Sequence, residues 1–206
     1  MEATLHFNVL GIDPGPVESA YALIGQEIPG SISDPFRVHE AEKVPNELLI
    51  GRLSVLQPAH VAIESIQSYG MAVGRSVFDT CFFIGEVIRT CKDAGIPFTL
   101  YPRPEYMRRI CGVGKVNDAV LRQALLLRFG GDRKGEPLYT LKGCSDKRSA
   151  FAVAVYHLDL SAAGGGIPAG EGQGYPGGRS WPVGRPTASP TRARGKERSL
   201  RKYRFP

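Results

Sequence analysis

Apolar and polar positions along this chain change their period several times, and each change marks an element. Residues 4 to 12 form an aliphatic and β-branched run that predicts a strand, and Ser19 to Gln26 predicts a second. The short link between them, turning at Pro14 to Pro16, makes the pair antiparallel. Phe36 to Val44 alternates apolar with polar, as a strand with one exposed face does, and completes a three-stranded meander. Pro45-Asn46-Glu47 then opens a helix with Leu48, Leu49, Leu53 and Leu56 at helical spacing, ending before Pro58. His60 to Ser65 is a short apolar run behind a helix, which reads as a buried parallel strand. A long helix over 75–94 carries Val77, Cys81, Phe82, Ile84, Val87, Ile88 and Cys91 on one broad side, and Gly95-Ile96-Pro97 ends it. Phe98 to Tyr101 is a fifth strand, followed by helices over 104–110 and 116–129, the second with Val120, Ala124, Leu125 and Leu127 as its apolar face. Ser145 caps a last helix, rich in Ala and Val and hence closely packed, that runs to about Leu160.

Three strands, a helix, a strand, a helix, a strand and then helices predict an α/β fold of ribonuclease H type: a five-stranded mixed sheet flanked by helices, over residues 1–162. Beyond that the pattern stops. Sixteen of the 44 residues from Ala163 to Pro206 are Gly or Pro, with almost no aliphatic content to bury, so residues 163–206 are expected to be a disordered tail. Charge separates the two parts as well: the tail carries nine Lys or Arg against two Glu, whereas the preceding 162 residues are close to neutral. The net charge of +6 therefore belongs to the tail. Its basic residues, with Trp181, Tyr203 and Phe205 among them, suit loose, salt-sensitive binding to DNA. No apolar run is long enough to cross a bilayer and the N-terminus has no signal-peptide pattern, so a soluble intracellular protein without membrane partners is expected. Cys81, Cys91, Cys111 and Cys144 form no C-x-x-C pair, which argues against a zinc knuckle and for buried, reduced thiols.

Candidate chemistry lies at the element ends. Asp13 terminates the first strand before Pro14-Gly15, Glu64 terminates the fourth, and Asp146 opens the last helix. Each has an ordinary use: a turn start, a surface carboxylate, a favourable charge at a helix N-terminus. Together they have another. In this topology the first and fourth strands are neighbours and the last helix can bring its N-terminus to their ends. Three carboxylates sharing a pocket repel one another unless a divalent cation neutralises them, and oxygen donors without His or Cys suit Mg²⁺ or Mn²⁺. Ser149, one turn along the helix, faces the same way and its hydroxyl could reach the metal or a bound water.

Gly11-Ile12-Asp13-Pro14-Gly15, the run from Ile63-Glu64 through Tyr69-Gly70 to Gly74, Val77 to Cys81 with Ile84-Gly85, and Leu138-Tyr139 followed by Ser145-Asp146 and Ser149 resemble the RuvC-type Holliday junction resolvases. The version found in phages and prophages is the nearest in pattern, and the resemblance spans residues 5 to 160. It implies a nuclease, usually a homodimer, that cuts opposed strands of a four-way DNA junction with two divalent metals and leaves 5′-phosphate ends, in the cytoplasm of a bacterium or a phage-infected cell. The family's acids fall on Asp13, Glu64 and Asp146. Bacterial members usually carry a further Asp three residues after the last of these, and here that place is Ser149.

For DNA contacts, Tyr69 lies in a Gly-flanked loop where an aromatic wedge could stack on an unpaired base. Lys115, Lys142, Lys147 and Arg148 stand beside loops or helix starts near the acids and are candidates for phosphate contacts. Gly112-Val113-Gly114-Lys115 is not a phosphate loop: position 109 is Arg and no Ser or Thr follows Lys115, so no nucleotide cofactor is expected. Two rivals remain in view, a junction-binding module with a crippled metal site, motivated by Ser149, and an actin-like ATPase or sugar kinase, which needs about twice this length.

Overall fold

The computed structural model describes residues 8–26, 36–67, 70, 72–112 and 116–163. The chain divides into Met1–Tyr175 and Pro176–Pro206, and every described residue belongs to the first unit. The expected tail, and residues 4 to 7 of the first strand, lie outside the described residues.

Strands β1 (Asn8–Asp13), β2 (Glu18–Gln26) and β3 (Phe36–Pro45) precede helix α1 (Asn46–Leu56); β4 (His60–Ser65), α2 (Arg75–Asp93) and β5 (Phe98–Pro102) follow, then α3 (Arg103–Cys111), α4 (Asp118–Phe129), a 3₁₀ turn at Tyr139–Leu141 and α5 (Ser145–Ala162). The sheet runs β3-β2-β1-β4-β5, antiparallel through the meander and parallel from β1 to β4 to β5. This is the predicted ribonuclease H-like arrangement, with β1 and β4 side by side.

Side-chain alternation along the central strands sorts the core into two layers. Leu10, Ile12, Val61 and Ile63 point to one face, where Leu49 and Leu53 of α1 and Phe83, Ile84 and Val87 of α2 cover them. Val9, Ala20, Ala22, Ile24 and Ala62 point to the other, beneath α5 with α3 and α4. The second face is lined by small residues, and that is what lets α5 come so close. A Cβ added at Gly11 would stand 1.9 Å from the Ala150 carbonyl oxygen and 2.8 Å from the Ala154 Cβ. Ser149 through Leu158 are buried without interruption, so this helix is apolar all round because it is enclosed all round. At its far end His157 stacks on His60 of β4 with ring centroids 3.8 Å apart, and its Nδ1 pairs with the Tyr101 hydroxyl at 2.8 Å.

Several local expectations change. Ser145 does not cap α5; it is the first helical residue, Cys144 precedes it without a side-chain cap, and the Ser145 hydroxyl donates to Asp146 instead. Helix α4 begins at Asp118 behind a capping Asn117 whose side chain accepts the Val120 N–H at 3.0 Å. Cys81, Phe82, Leu48 and Leu127 are exposed, while Phe83, Leu121 and Phe129 do the packing. These helices carry apolar residues on more than one side, so periodicity alone could not select the buried stripe. All four thiols are free, but only Cys91 is buried; Cys111 and Cys144 are half-buried.

Candidate active site

The C-terminal ends of β1 and β4 and the start of α5 meet on the α5 side of the sheet. Asp13 continues the Val9, Gly11 row onto that face, and Glu64 continues the His60, Ala62 row. The turn after Asp13 is clamped: Gly15 N–H donates to Ser19 Oγ at 3.0 Å, Ser19 Oγ donates to Asn46 Oδ1 at 2.7 Å, and Asn46 Nδ2 donates back to the Gly15 carbonyl at 3.0 Å. Gly15 is required by space rather than by a left-handed backbone, since a Cβ there would stand 2.2 Å from the Glu18 carbonyl oxygen. Asn46, the first residue of α1, thus holds the loop that presents the first acid.

Glu64 is buried and fully engaged. Tyr106 of α3 donates its hydroxyl to Oε2 at 2.6 Å, and Arg103 Nη1 reaches Oε2 at 3.1 Å and Oε1 at 3.3 Å. The same Nη1 lies 3.1 Å from Ser149 Oγ, and Nη2 pairs with Asp118 of α4 at 2.5 Å. Asp146 stands half-exposed at the mouth, where Lys43 Nζ donates to Oδ2 at 2.9 Å and Ser145 to Oδ1 at 3.0 Å. Lys43 arrives by strand register: Asp13 pairs with Ala20, and Ala20 with Lys43, so the three share one row.

The electrostatic crowding is greatest at Asp13. Burial, then the nearby Glu64 and, further down, Asp146 push its carboxyl up to about 8, against the lowering pull of Arg103 and of the Ser149 hydroxyl. Asp146 moves the other way, held below the usual carboxylate range first by its hydrogen bond from Lys43. Arg103 is raised: burial opposes its charge, but Tyr106, Glu64 and Asp118 outweigh that. The donor chemistry fits a hard divalent cation, because Asp13 is a half-buried oxygen donor crowded by negative charge that such an ion would offset. In the arrangement seen, each neighbouring acid leans on a basic side chain, and among the described residues no three His, Cys, Asp or Glu form a ready metal-holding group.

Of the residues expected to touch DNA, Tyr69 and Lys115 lie outside the described residues. Lys142 is exposed; Asp132 is held below the usual carboxylate range chiefly by its hydrogen bond from Arg122, with a smaller contribution from Lys142. Lys147 donates to the Thr140 carbonyl, and Arg148 to the Leu141 carbonyl at 3.3 Å, so both tie α5 to the preceding 3₁₀ turn. Lys43, Asn46, Arg103 and Tyr106 escaped sequence reasoning. A signal existed for Arg103, a cation directly after the strand neighbouring β4; none existed for Lys43, whose place depends on register across two strands.

No protein-family model matches the chain, and no curated protein sequence does. Solved structures do. The chain is similar to Thermus thermophilus RuvC, at 20% identity and a TM-score of 0.60, over 76% of this chain and 96% of that one. It is similar at 18% identity and a TM-score of 0.59 to T. thermophilus RuvC in complex with a Holliday junction substrate, over 78% and 98%. A fowlpox virus resolvase bound to Holliday junction DNA gives 13% identity and a TM-score of 0.52, over 75% and 98%. The fold is that of these resolvases.

Proposed function

We propose that this chain is a divalent-metal-dependent endonuclease, of the kind the RuvC-type resolvases represent, that cuts four-way or otherwise branched DNA by hydrolysis. One observation carries the reading: a half-buried carboxyl at the end of β1, Asp13, whose pKa is raised by desolvation and by two further acids, at the end of β4 and the start of α5, on the fold that junction resolvases use. A bound cation would favour the ionised carboxylate that this crowding of acids otherwise disfavours.

Asp13, Glu64 and Asp146 would hold Mg²⁺ or Mn²⁺, with Ser149 supporting Asp13; when bound, the ion supplies a positive charge for the scissile phosphate and lowers the pKa of the attacking water. Tyr106 and Arg103 fix the rotamer of Glu64, and Lys43 orients Asp146 while offering a cation at the mouth for a neighbouring phosphate. A homodimer completes the proposal. On α2, Phe78 and Phe82 lie one turn apart and are 52% and 73% exposed, an apolar pair suited to a second copy of the chain. The basic residues from 163 onward would add salt-sensitive affinity for the same DNA. A bacterial or phage-infected cytoplasm is the setting this reading implies.

A second reading, a junction-binding module without cutting activity, is favoured by the basic partners already on Glu64 and Asp146. A plasmid-borne four-way junction with Mg²⁺ separates the two. Incision is expected, and Asp13→Asn, Glu64→Gln and Asp146→Asn should each lower it by roughly 100-fold or more while junction binding persists. Tight binding by the unaltered protein with no incision in Mg²⁺ or Mn²⁺ would establish the module instead.

A further inference from the structure

We propose that Arg103 takes the place of a second divalent cation, so that one metal ion and one guanidinium together neutralise the scissile phosphate; this rests on the nuclease reading above. Three observations carry it. First, the Arg103 guanidinium already stands between the two groups that a second ion would need: Nη1 is 3.1 and 3.3 Å from the Glu64 oxygens and 3.1 Å from Ser149 Oγ. An ion placed there would meet a fixed positive charge at contact distance, and the two cations exclude one another.

Second, position 149 offers a neutral hydroxyl where a further carboxylate would be required to offset a divalent charge. A neutral hydroxyl and a guanidinium thus occupy the spot where a second divalent ion would need negative charge.

Third, Arg103 is built in rather than draped over the surface. Its Nη2 is anchored to Asp118 of α4 at 2.5 Å, and Nη1 also lies 3.4 Å from the Tyr106 hydroxyl, yet the side chain remains 36% exposed. Among the described residues the Nε–H and one Nη2 hydrogen have no acceptor, so donors remain for a phosphate oxygen after the site's own acids are served. A planar guanidinium presents such donors in the geometry that phosphate accepts, and it stays charged at any working pH.

In the reaction, a water oxygen forms a bond to phosphorus and the P–O3′ bond breaks, its electron pair remaining on O3′. That oxygen takes up a proton, and the attacking water gives one up to solvent. Arg103 neither gives nor receives a proton; its hydrogens bear on the non-bridging oxygens, where negative charge grows as the new bond forms.

Counting Mn²⁺ on the full-length protein, by calorimetric titration and by electron paramagnetic resonance, tests this independently of cutting. The unaltered protein should bind one ion per chain, and its cutting rate should rise with the first power of Mn²⁺ concentration. Arg103→Met should lose roughly 10³-fold in cutting, with Arg103→Lys intermediate, while the double change Arg103→Met with Ser149→Asp should bind two ions. Two ions per chain on the unaltered protein, or an Arg103→Met variant that folds and cuts at the unaltered rate, would overturn the proposal; the first result needs no variant to fold. Both of those outcomes leave the nuclease reading standing. An unaltered protein that binds no Mn²⁺ and cuts no junction removes the nuclease reading, and this inference with it.

Discussion

The two faces of the sheet are covered by helices that obey opposite rules. On one, α5 is sealed from Ser149 to Leu158 and lies so close that Gly11 has no room for a methyl group. On the other, α2 buries Thr80, Phe83, Ile84, Val87 and Cys91 and turns Phe78 and Phe82 outward. Ala-on-Gly packing leaves α5 no freedom to slide, so its first two turns hold Asp146 and Ser149 at fixed positions beside Asp13 and Glu64. The other face carries a smaller charged group, Arg52 of α1 with Glu40, Glu42 and the Tyr21 hydroxyl, and leaves Phe78 and Phe82 exposed.

The largest effect should come from filling the tight face. Gly11→Ala would drive a methyl into the Ala150 carbonyl and should destabilise the protein by about 3 kcal/mol, lowering the unfolding midpoint by roughly 10 °C. The same change at Gly51 on α1, where nothing lies within 4 Å, should raise stability by up to about 1 kcal/mol. Gly51 is exposed and serves as the solvent-facing control; in denaturant unfolding, a Gly11→Ala protein as stable as the unaltered one would mean that α5 can draw away from β1.

Next comes the open face. Phe78→Glu with Phe82→Glu should convert the expected dimer to monomers in sedimentation experiments while unfolding stability changes by no more than about 0.5 kcal/mol. A dimer that survives the pair of charges assembles through some other surface.

The most gradual effect is a pH dependence confined to the tight face. Burial lowers His60 to about 3 and His157 to about 4, so below about 6.5 the unfolded chain takes up protons that the folded one refuses, and stability falls as pH falls. Asp13 acts in the opposite sense: with its carboxyl up at about 8, the folded chain holds a proton that the unfolded one has released above about 4, and stability falls as pH rises towards 8. Without metal, stability should therefore peak near pH 6.5 and decline on each side by no more than about 1.4 kcal/mol per pH unit. Asp13→Asn should abolish the alkaline decline and steepen the acid one, because Asp13 no longer offsets the two histidines; an unchanged alkaline slope in that variant would place the titrating group elsewhere.

Much of this was legible beforehand because it is local. Alternation over Phe36 to Val44, the apolar run at His60 to Ser65 and the Pro-Gly turn after Asp13 each announce a strand or its end within a few residues, and the five strands stand where those signals put them. Where a signal had two readings, contacts chose. Phe82 and Phe83 are indistinguishable by composition, yet one is 73% exposed and the other 4%, because only one faces β1 and β4. Ser145 looked like a cap by residue type and position, but the helix begins one residue earlier than such a cap would allow.

The site divides along the same line. Asp13, Glu64 and Asp146 could be singled out from the chain because each ends or begins an element, and element ends are written in nearby residues. That Lys43 stands in Asp13's row, that Asn46 clamps the turn behind it, and that Arg103 spans Glu64, Ser149 and Asp118 depended on strand register and on how closely α5 and α3 approach the sheet. Those distances are set by the burial of whole faces at once, a cooperative quantity that no window of sequence contains.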